Sequence, residues 1–261
     1  SLRAFSEAEH TRIYELGVLP EDVSAPESLI QALWQATANL GAFAAKRLLG
    51  RLRGHFVLPD LSGGVRLHDR MREVFRHRLG DSALQSAHRA LLSGWGDFSP
   101  LPDDYAWRYV GYHLQEAGEL DSLHRLLLAF NWVRDKLNAT DVPALLSDYD
   151  RLAHDQSVAL IRSAIVISAA VLTEDKAALA HQVMGRLIPH RTHPNIRQFT
   201  DSITTPAASL QHAYPDNGFP THDPAGGWVR QILHGHHNSA RCVTFSPDGG
   251  LIASGSTDNT V

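Results

Sequence analysis

The sequence predicts a mainly α fold: a winged-helix domain, then an α-helical arm, with a short β region at the C-terminal end. Three observations carry that prediction. Apolar residues recur at every third or fourth position over most of the first 190 residues. The rhythm is interrupted once, by Phe56-Val57-Leu58 and Val65-Arg66-Leu67 on either side of the turn at Gly63-Gly64. After Gly227 the period changes to two.

In chain order, Ser6 and Glu9 have capping-box spacing and open a helix that carries Ile13 and Leu16 and ends near Gly17. Pro26 suits the first turn of a second helix with Leu29, Ile30, Leu33 and Trp34 inward. A third runs from about Gly41 to Leu52, with Ala44, Leu48, Leu49 and Leu52 inward. Three helices followed by a hairpin make a winged helix over residues 1–80. Helical periodicity then fills 81–190, as in Leu123, Leu126, Leu127, Phe130, Val133 and Leu137 and in Leu179, Val183 and Leu187, with turns at Ser99-Pro100 and Asp141-Val142-Pro143. Residues 191–227 contain Pro194, Pro206, Pro215, Pro220 and Pro224 without apolar periodicity, which predicts an irregular Pro-rich linker. Strands are expected over Trp228–Leu233, Ala240–Phe245 and Leu251–Ser254.

Composition restricts the function classes. With 261 residues, 43% of them hydrophobic, the chain can bury a core in each of two domains. A net charge of −4 gives no global attraction to nucleic acid or anionic lipid. Cys242 is the only cysteine, which excludes an internal disulfide and a cysteine-based zinc cluster and fits a reducing, cytoplasmic setting. The most apolar run, Ser157 to Leu172, is broken by Arg162 and by serines and is too short for a membrane span. Ser1 is not preceded by an initiator Met and begins no signal-peptide layout, so a preceding segment is expected.

The tail GHHNSARCVTFSPDGGLIASGSTDNTV resembles the opening of a WD-repeat β-propeller blade, with Gly235-His236, Phe245-Ser246-Pro247-Asp248-Gly249 and Ser254-Gly255-Ser256 before Asp258. The resemblance implies a truncated first blade over 228–261, with His236 and Asp258 in a structural hydrogen-bond network to which Ser254 or Ser256 contributes. The front and middle resemble the STAND (NB-ARC) family of signalling NTPases, which includes apoptotic protease-activating factors and plant resistance proteins. The residues concerned are LGVLPEDVSAPESLIQALW (16–34), VRLHD (65–69), DYAWRYVGYHLQEAG (104–118) and NWVRDKLNATDVPALLSDY (131–149).

That resemblance gives His68 a role, because a His-Asp motif in such proteins places the imidazole on the β-phosphate of bound ADP. Unpaired N–H groups at the start of the helix near Arg70 suit a phosphate, and Asp69 is expected to cap that helix. No glycine in the chain precedes a lysine, so there is no P-loop and no nucleotide hydrolysis is expected from these residues alone. The resemblance therefore implies a regulatory, non-enzymatic segment that holds no cofactor by itself. Its partners would be an NTPase domain upstream in cis carrying ADP or ATP with Mg, a protein ligand of the propeller, and further copies on activation; no membrane is implied.

The competing reading is a DNA-binding winged-helix transcription regulator, using Lys46, Arg47, Arg51 and Arg53 with Arg70, Arg72, Arg76 and Arg78. These charges are spread around their helices, which does not favour nucleic acid. His190 and His193, and His234, His236 and His237, lack a carboxylate or cysteine at ligand spacing, so no metal site is assigned.

Overall fold

A computed structural model describes residues 5–53, 57–59, 64–203, 222–227, 229, 232–233, 235–236 and 238–261. The chain opens with helix α1 (Glu7–Glu15), whose capping box is closed by Ser6 N–H donating to Glu9 Oε2 at 2.8 Å and Glu9 N–H to Ser6 Oγ at 3.3 Å. A 3-10 turn, Leu16–Val18, continues it. Helix α2 (Glu27–Ala38) ends at Asn39, whose left-handed backbone (φ 52°) satisfies the last carbonyls. Helix α3 (Ala42–Arg53) buries Ala45, Leu48, Leu49 and Leu52. Ala45 takes the inward position expected of Ala44, because only the 45, 48, 49, 52 set lies on one stripe.

Strands β1 (Val57–Pro59) and β2 (Val65–Leu67) pair antiparallel, and Val65 also bridges to Ala25 through two backbone hydrogen bonds, 2.9 and 2.7 Å. The bridge ties the hairpin to the entry of α2. Helix α4 (Asp69–Leu79) follows, then α5 (Asp81–Ser93) after a one-residue corner at Gly80. Gly80 has φ 79°, ψ 154°, a conformation open to glycine alone, so it sets the angle between the two helices.

The arm continues through α6 (Asp104–Ala117), α7 (Leu120–Leu127), α8 (Phe130–Ala139), α9 (Val142–Asp150), α10 (Gln156–Ile167), α11 (Ala169–Glu174) and α12 (Leu179–Leu187). Asp103, Asp141 and Asp155 each cap the next helix, accepting from Ala106, Ala144 and Val158 N–H at 2.8 to 2.9 Å. No helix among the described residues is long and apolar enough to cross a membrane.

Two expectations need correction here. The irregular linker expected over 191–227 begins with a regular helix, α13 (Pro194–Ile203), which buries Ile196, Phe199 and Ile203 in the arm's core. Pro194 sits at its start, where a missing N–H costs nothing, so a proline read as a breaker is an initiator. Ala225 is also buried, and its carbonyl accepts from His190 Nε2 at 2.7 Å. Of the strand expected over Trp228–Leu233, Val229, Ile232 and Leu233 lie outside any strand, and 228, 230 and 231 lie outside the described residues.

Two cores result. The first gathers Ile13, Leu16, Ile30, Leu33, Trp34, Leu49 and Phe75; the second gathers Val110, Leu123, Val133, Leu145, Ile161, Val183 and Phe199. Helix α5 belongs to both, with Leu84, Ala87 and Leu91 in the first core and Leu92 in the second. The expected boundary after residue 80 therefore cuts through a packed joint. Strands β3 (Ala240–Phe245) and β4 (Ile252–Ser256) form a separate antiparallel pair, Phe245 opposite Ile252, with an irregularity between Ala240 and Cys242. The protein is thus mainly α with a two-stranded sheet at its C-terminal end.

Candidate functional site

His68 stands at the N-cap position of α4, extended (φ −74°, ψ 137°), with its carbonyl accepting from Met71 and Arg72 N–H at 2.8 and 3.1 Å. Its ring is exposed and makes no capping bond. Asp69, expected as the cap, is instead the first helical residue, because the strand leaves its extended conformation one residue earlier. Its carboxylate favours the positive end of the helix from within the first turn. Asp69 Oδ1 is shielded from solvent and has no hydrogen-bond partner among the described residues.

Further along α4 the helix is fastened by Arg72 and Arg76, which follow His68 at four-residue spacing. Arg72 Nε donates to the Leu19 carbonyl at 2.7 Å and its Nη2 to Tyr112 Oη at 3.1 Å. One turn on, Arg76 reaches Tyr112 Oη at 3.3 Å and Glu116 Oε2 at 2.6 Å. Gly17 makes room for this, since a Cβ there would lie 3.1 Å from the Arg76 backbone nitrogen. Two arginines at i and i+4 thus join α4 both to the turn after α1 and to α6 in the arm.

Behind Glu116 lies a chain of polar groups among fully buried histidines. Tyr105 Oη is 3.0 Å from His113 Nε2, His113 Nδ1 is 2.8 Å from His88 Nδ1, and His88 Nε2 is 3.9 Å from Glu116 Oε2. Burial, reinforced by the charges of Arg76 and Arg72, pushes the His88 imidazole down to about 3. Burial first, then His88 and Arg151, holds His113 well below the usual imidazole range, and burial pushes the Tyr105 phenol well up. Both rings are therefore neutral, so each has one N–H and one bare nitrogen. Only one direction keeps a bare lone pair away from the Glu116 carboxylate: Tyr105 O–H donates to His113 Nε2, His113 Nδ1–H donates to His88 Nδ1, and His88 Nε2–H faces Glu116.

A second buried polar tie lies deeper in the arm. Lys136 Nζ is 2.7 Å from Asp148 Oδ2 and donates to the carbonyls of Trp107 and Arg108, joining α8 and α9 to α6. Burial raises the Asp148 carboxyl and lowers the Lys136 ammonium, each opposed by the partner's charge. Gly111 is required here, because a Cβ at that position would stand 2.1 Å from Asp148 Oδ1.

The hairpin brings together His236, Ser254, Asp258 and Thr260. His236 Nε2 is 2.8 Å from Ser254 Oγ, and its Nδ1 is 2.9 Å from Thr260 Oγ1 and 3.3 Å from Asp258 Oδ2. Asp258 Oδ1 accepts from the Thr260 hydroxyl at 2.7 Å and from its N–H at 2.9 Å, while Ser256 Oγ accepts from Asp258 N–H at 3.1 Å. The Thr260 hydroxyl proton is thereby committed to Asp258, so His236 Nδ1–H donates to Thr260.

Sequence reasoning did not single out His88, His113, Lys136 or Asp148. The available signal was a polar residue inside an apolar stripe: His88 among Leu84, Ala87, Leu91 and Leu92, and His113 among Val110, Leu114 and Ala117. Of the cations in the DNA reading, Arg51 and Arg53 are paired with Glu9 and Glu27, and Arg72 and Arg76 are turned into the joint. Among the described residues no group of three or more His, Cys, Asp or Glu could hold a metal; His234 and His237 lie outside them.

Comparison with known proteins gives a class first. Residues 88–162 match the family model of the APAF-1 helical domain, and residues 227–261 match that of the WD domain, G-beta repeat. No curated protein matches the chain. A helical domain of that type followed by a WD repeat is an Apaf-1-like architecture, and both domains are non-catalytic modules. WD repeats are surfaces for protein contacts.

Proposed function

We propose that this chain is the regulatory segment of a nucleotide-switched signalling protein of the STAND type. Its first 80 residues act as a winged helix that senses ADP held by an NTPase domain upstream in cis, through His68. The helical arm couples that contact to a WD-repeat propeller, which takes a protein ligand, and the assembled protein oligomerises in the cytoplasm on activation. One observation supports the reading above the others: α4 has an exposed imidazole at its N-terminal end and, one and two turns further along, a pair of arginines that fasten the helix to the preceding turn and to the arm.

An anion at the start of α4 would be met by free N–H groups and by the His68 ring, and any displacement of α4 must be paid at Tyr112 and Glu116. The signal needs no long route. A ligand on the propeller favours the open arrangement only if it binds that arrangement more tightly.

The test uses a protein with the NTPase domain ahead of these residues. His68→Ala is expected to speed ADP release by about tenfold, the loss of one charge-assisted contact of roughly 1.4 kcal/mol, and to raise basal output. Unchanged ADP retention with unchanged basal output overturns the assignment of His68.

A further inference from the structure

Helices α1 and α3 and the C-terminal end of α2 line a groove of about 420 Å³ in the N-terminal domain. Its apolar lining is made by Ala8, Ala38, Leu40, Ala44 and Leu48, small side chains that leave room for an incoming apolar group. Its rim is charged. Arg12 and Arg51 belong to the lining; Arg51 is paired with Glu9, while Arg12 lies 2.8 Å from the buried Glu15. Arg47 also lines the groove, is exposed and has no ionic or hydrogen-bonding partner among the described residues.

The lining holds three cations, Arg12, Arg47 and Arg51, against one carboxylate, Glu9, so the groove is positive on a chain whose net charge is −4. Phe43, one turn before Arg47 on α3, is 83% exposed, the largest exposure of any described phenylalanine. An apolar trough beside an uncovered aromatic ring and a positive rim in which Arg47 has no internal partner complements one kind of surface: apolar side chains on one face, carboxylates at the edge. Nucleic acid fits less well. Half of the cations on α3 are spent on internal pairs, and a phosphate backbone gains nothing from an alanine and leucine floor.

We propose that the α1/α3 groove is a docking site for an acidic amphipathic segment of a protein partner, with apolar side chains on the Ala38, Ala44 and Leu48 floor and carboxylates on the rim at Arg47. The inference goes beyond the nucleotide-switch reading and does not depend on it. Phe43, Ala44 and Arg47 are exposed, so substitution there leaves the fold intact.

The probe is a fluorescein-labelled 16-residue helical peptide with leucines on one face and glutamates on the other, titrated against the full chain and followed by anisotropy. Saturable binding is expected, weakened about tenfold by Arg47→Glu and abolished by Ala44→Trp, which fills the trough; the same peptide with lysine in place of glutamate does not bind. Thermal melts of each variant establish that it is folded. Equal binding of the lysine peptide, indifference to both substitutions, or binding of a 20-base-pair DNA duplex in the absence of peptide binding each overturns the proposal.

Discussion

The buried histidines of the arm and the histidine of the terminal hairpin use the same side chain under opposite conditions. His88 and His113 are sealed between α5 and α6, where each ring is held neutral and three of the four ring nitrogens have a hydrogen-bond partner, His88 Nε2 facing Glu116 at 3.9 Å without one. His236 stands on a hairpin whose first strand is exposed along its whole length, and it faces two hydroxyls and a carboxylate. In the interior there is no water to replace a lost partner, so a missing hydrogen bond costs the desolvation of the group left behind. On the hairpin, solvent can take the place of either hydroxyl. The same number of contacts is therefore worth different amounts, and substitutions should divide along that line.

The largest effect belongs to the buried half. Gly111→Ala places a methyl where Asp148 Oδ1 now lies and forces the carboxylate away from Lys136. Loss of a buried pair in this way costs about 3–5 kcal/mol. Urea denaturation reads it directly. A loss below about 1 kcal/mol, within the range of ordinary surface changes, would mean that burial does not make this contact costly to break.

Next comes the histidine chain. His113→Phe keeps an aromatic ring in the core but leaves Tyr105 Oη and His88 Nδ1 without partners, for a cost of about 2–4 kcal/mol from two stranded groups. Nitrogen-15 NMR of the unsubstituted protein sharpens the point, since the hydrogen-bond direction requires His113 as the Nδ1–H tautomer and His88 as the Nε2–H tautomer. The reverse pair of tautomers would mean that the hydrogen bonds run the other way, from His88 Nδ1–H toward Tyr105.

These two networks also differ in how far the sequence betrays them. His236, Ser254, Asp258 and Thr260 fall within 25 residues of one another, so a local repeat pattern places them together before any tertiary structure is known. His88 and His113 meet only because Gly80 turns α5 and because α5 packs on α6. Lys136 and Asp148 likewise need the α6 surface cleared at Gly111. Helix periodicity anticipated the mainly α class and most helices of the arm, since amphipathic stripes reflect burial directly. It missed α13 because two prolines and a histidine-rich approach obscured a short stripe of Ile196, Phe199 and Ile203. It also assigned α5 wholly to the arm, because a helix with apolar residues on two faces does not reveal which neighbour covers which face.

Glu15 lies between the extremes. It is 5% exposed, 2.8 Å from Arg12 and 3.0 Å from the Thr37 hydroxyl, yet burial outweighs Arg12 and Thr37 and pushes its carboxyl up to about 7. The folded state thus holds a proton that the unfolded chain releases near the ordinary value of 4.5. Its contribution is fully present below that value and is lost as pH rises through about 7. The upper limit is roughly 3 kcal/mol, the free energy of a shift of that size. Glu15→Gln should flatten the fall in melting temperature between pH 5 and 8, and an unaltered pH profile would remove Glu15 as its source.

The smallest effect is expected where the comparison began. Asp258→Asn keeps the shape of the side chain, and its carbonyl can still accept from Thr260 while the charge beside His236 disappears. The hairpin shares no apolar cluster with either helical core, so the main unfolding transition should move by no more than about 0.5 kcal/mol. The change should appear locally, as faster hydrogen exchange at the paired amides of β3 and β4, because the loop from Ser256 to Thr260 is held to His236 through this carboxylate. A shift of the main transition comparable to that of His113→Phe would mean that the hairpin unfolds with the arm, and the distinction between a sealed network and a solvated one would lose its energetic content.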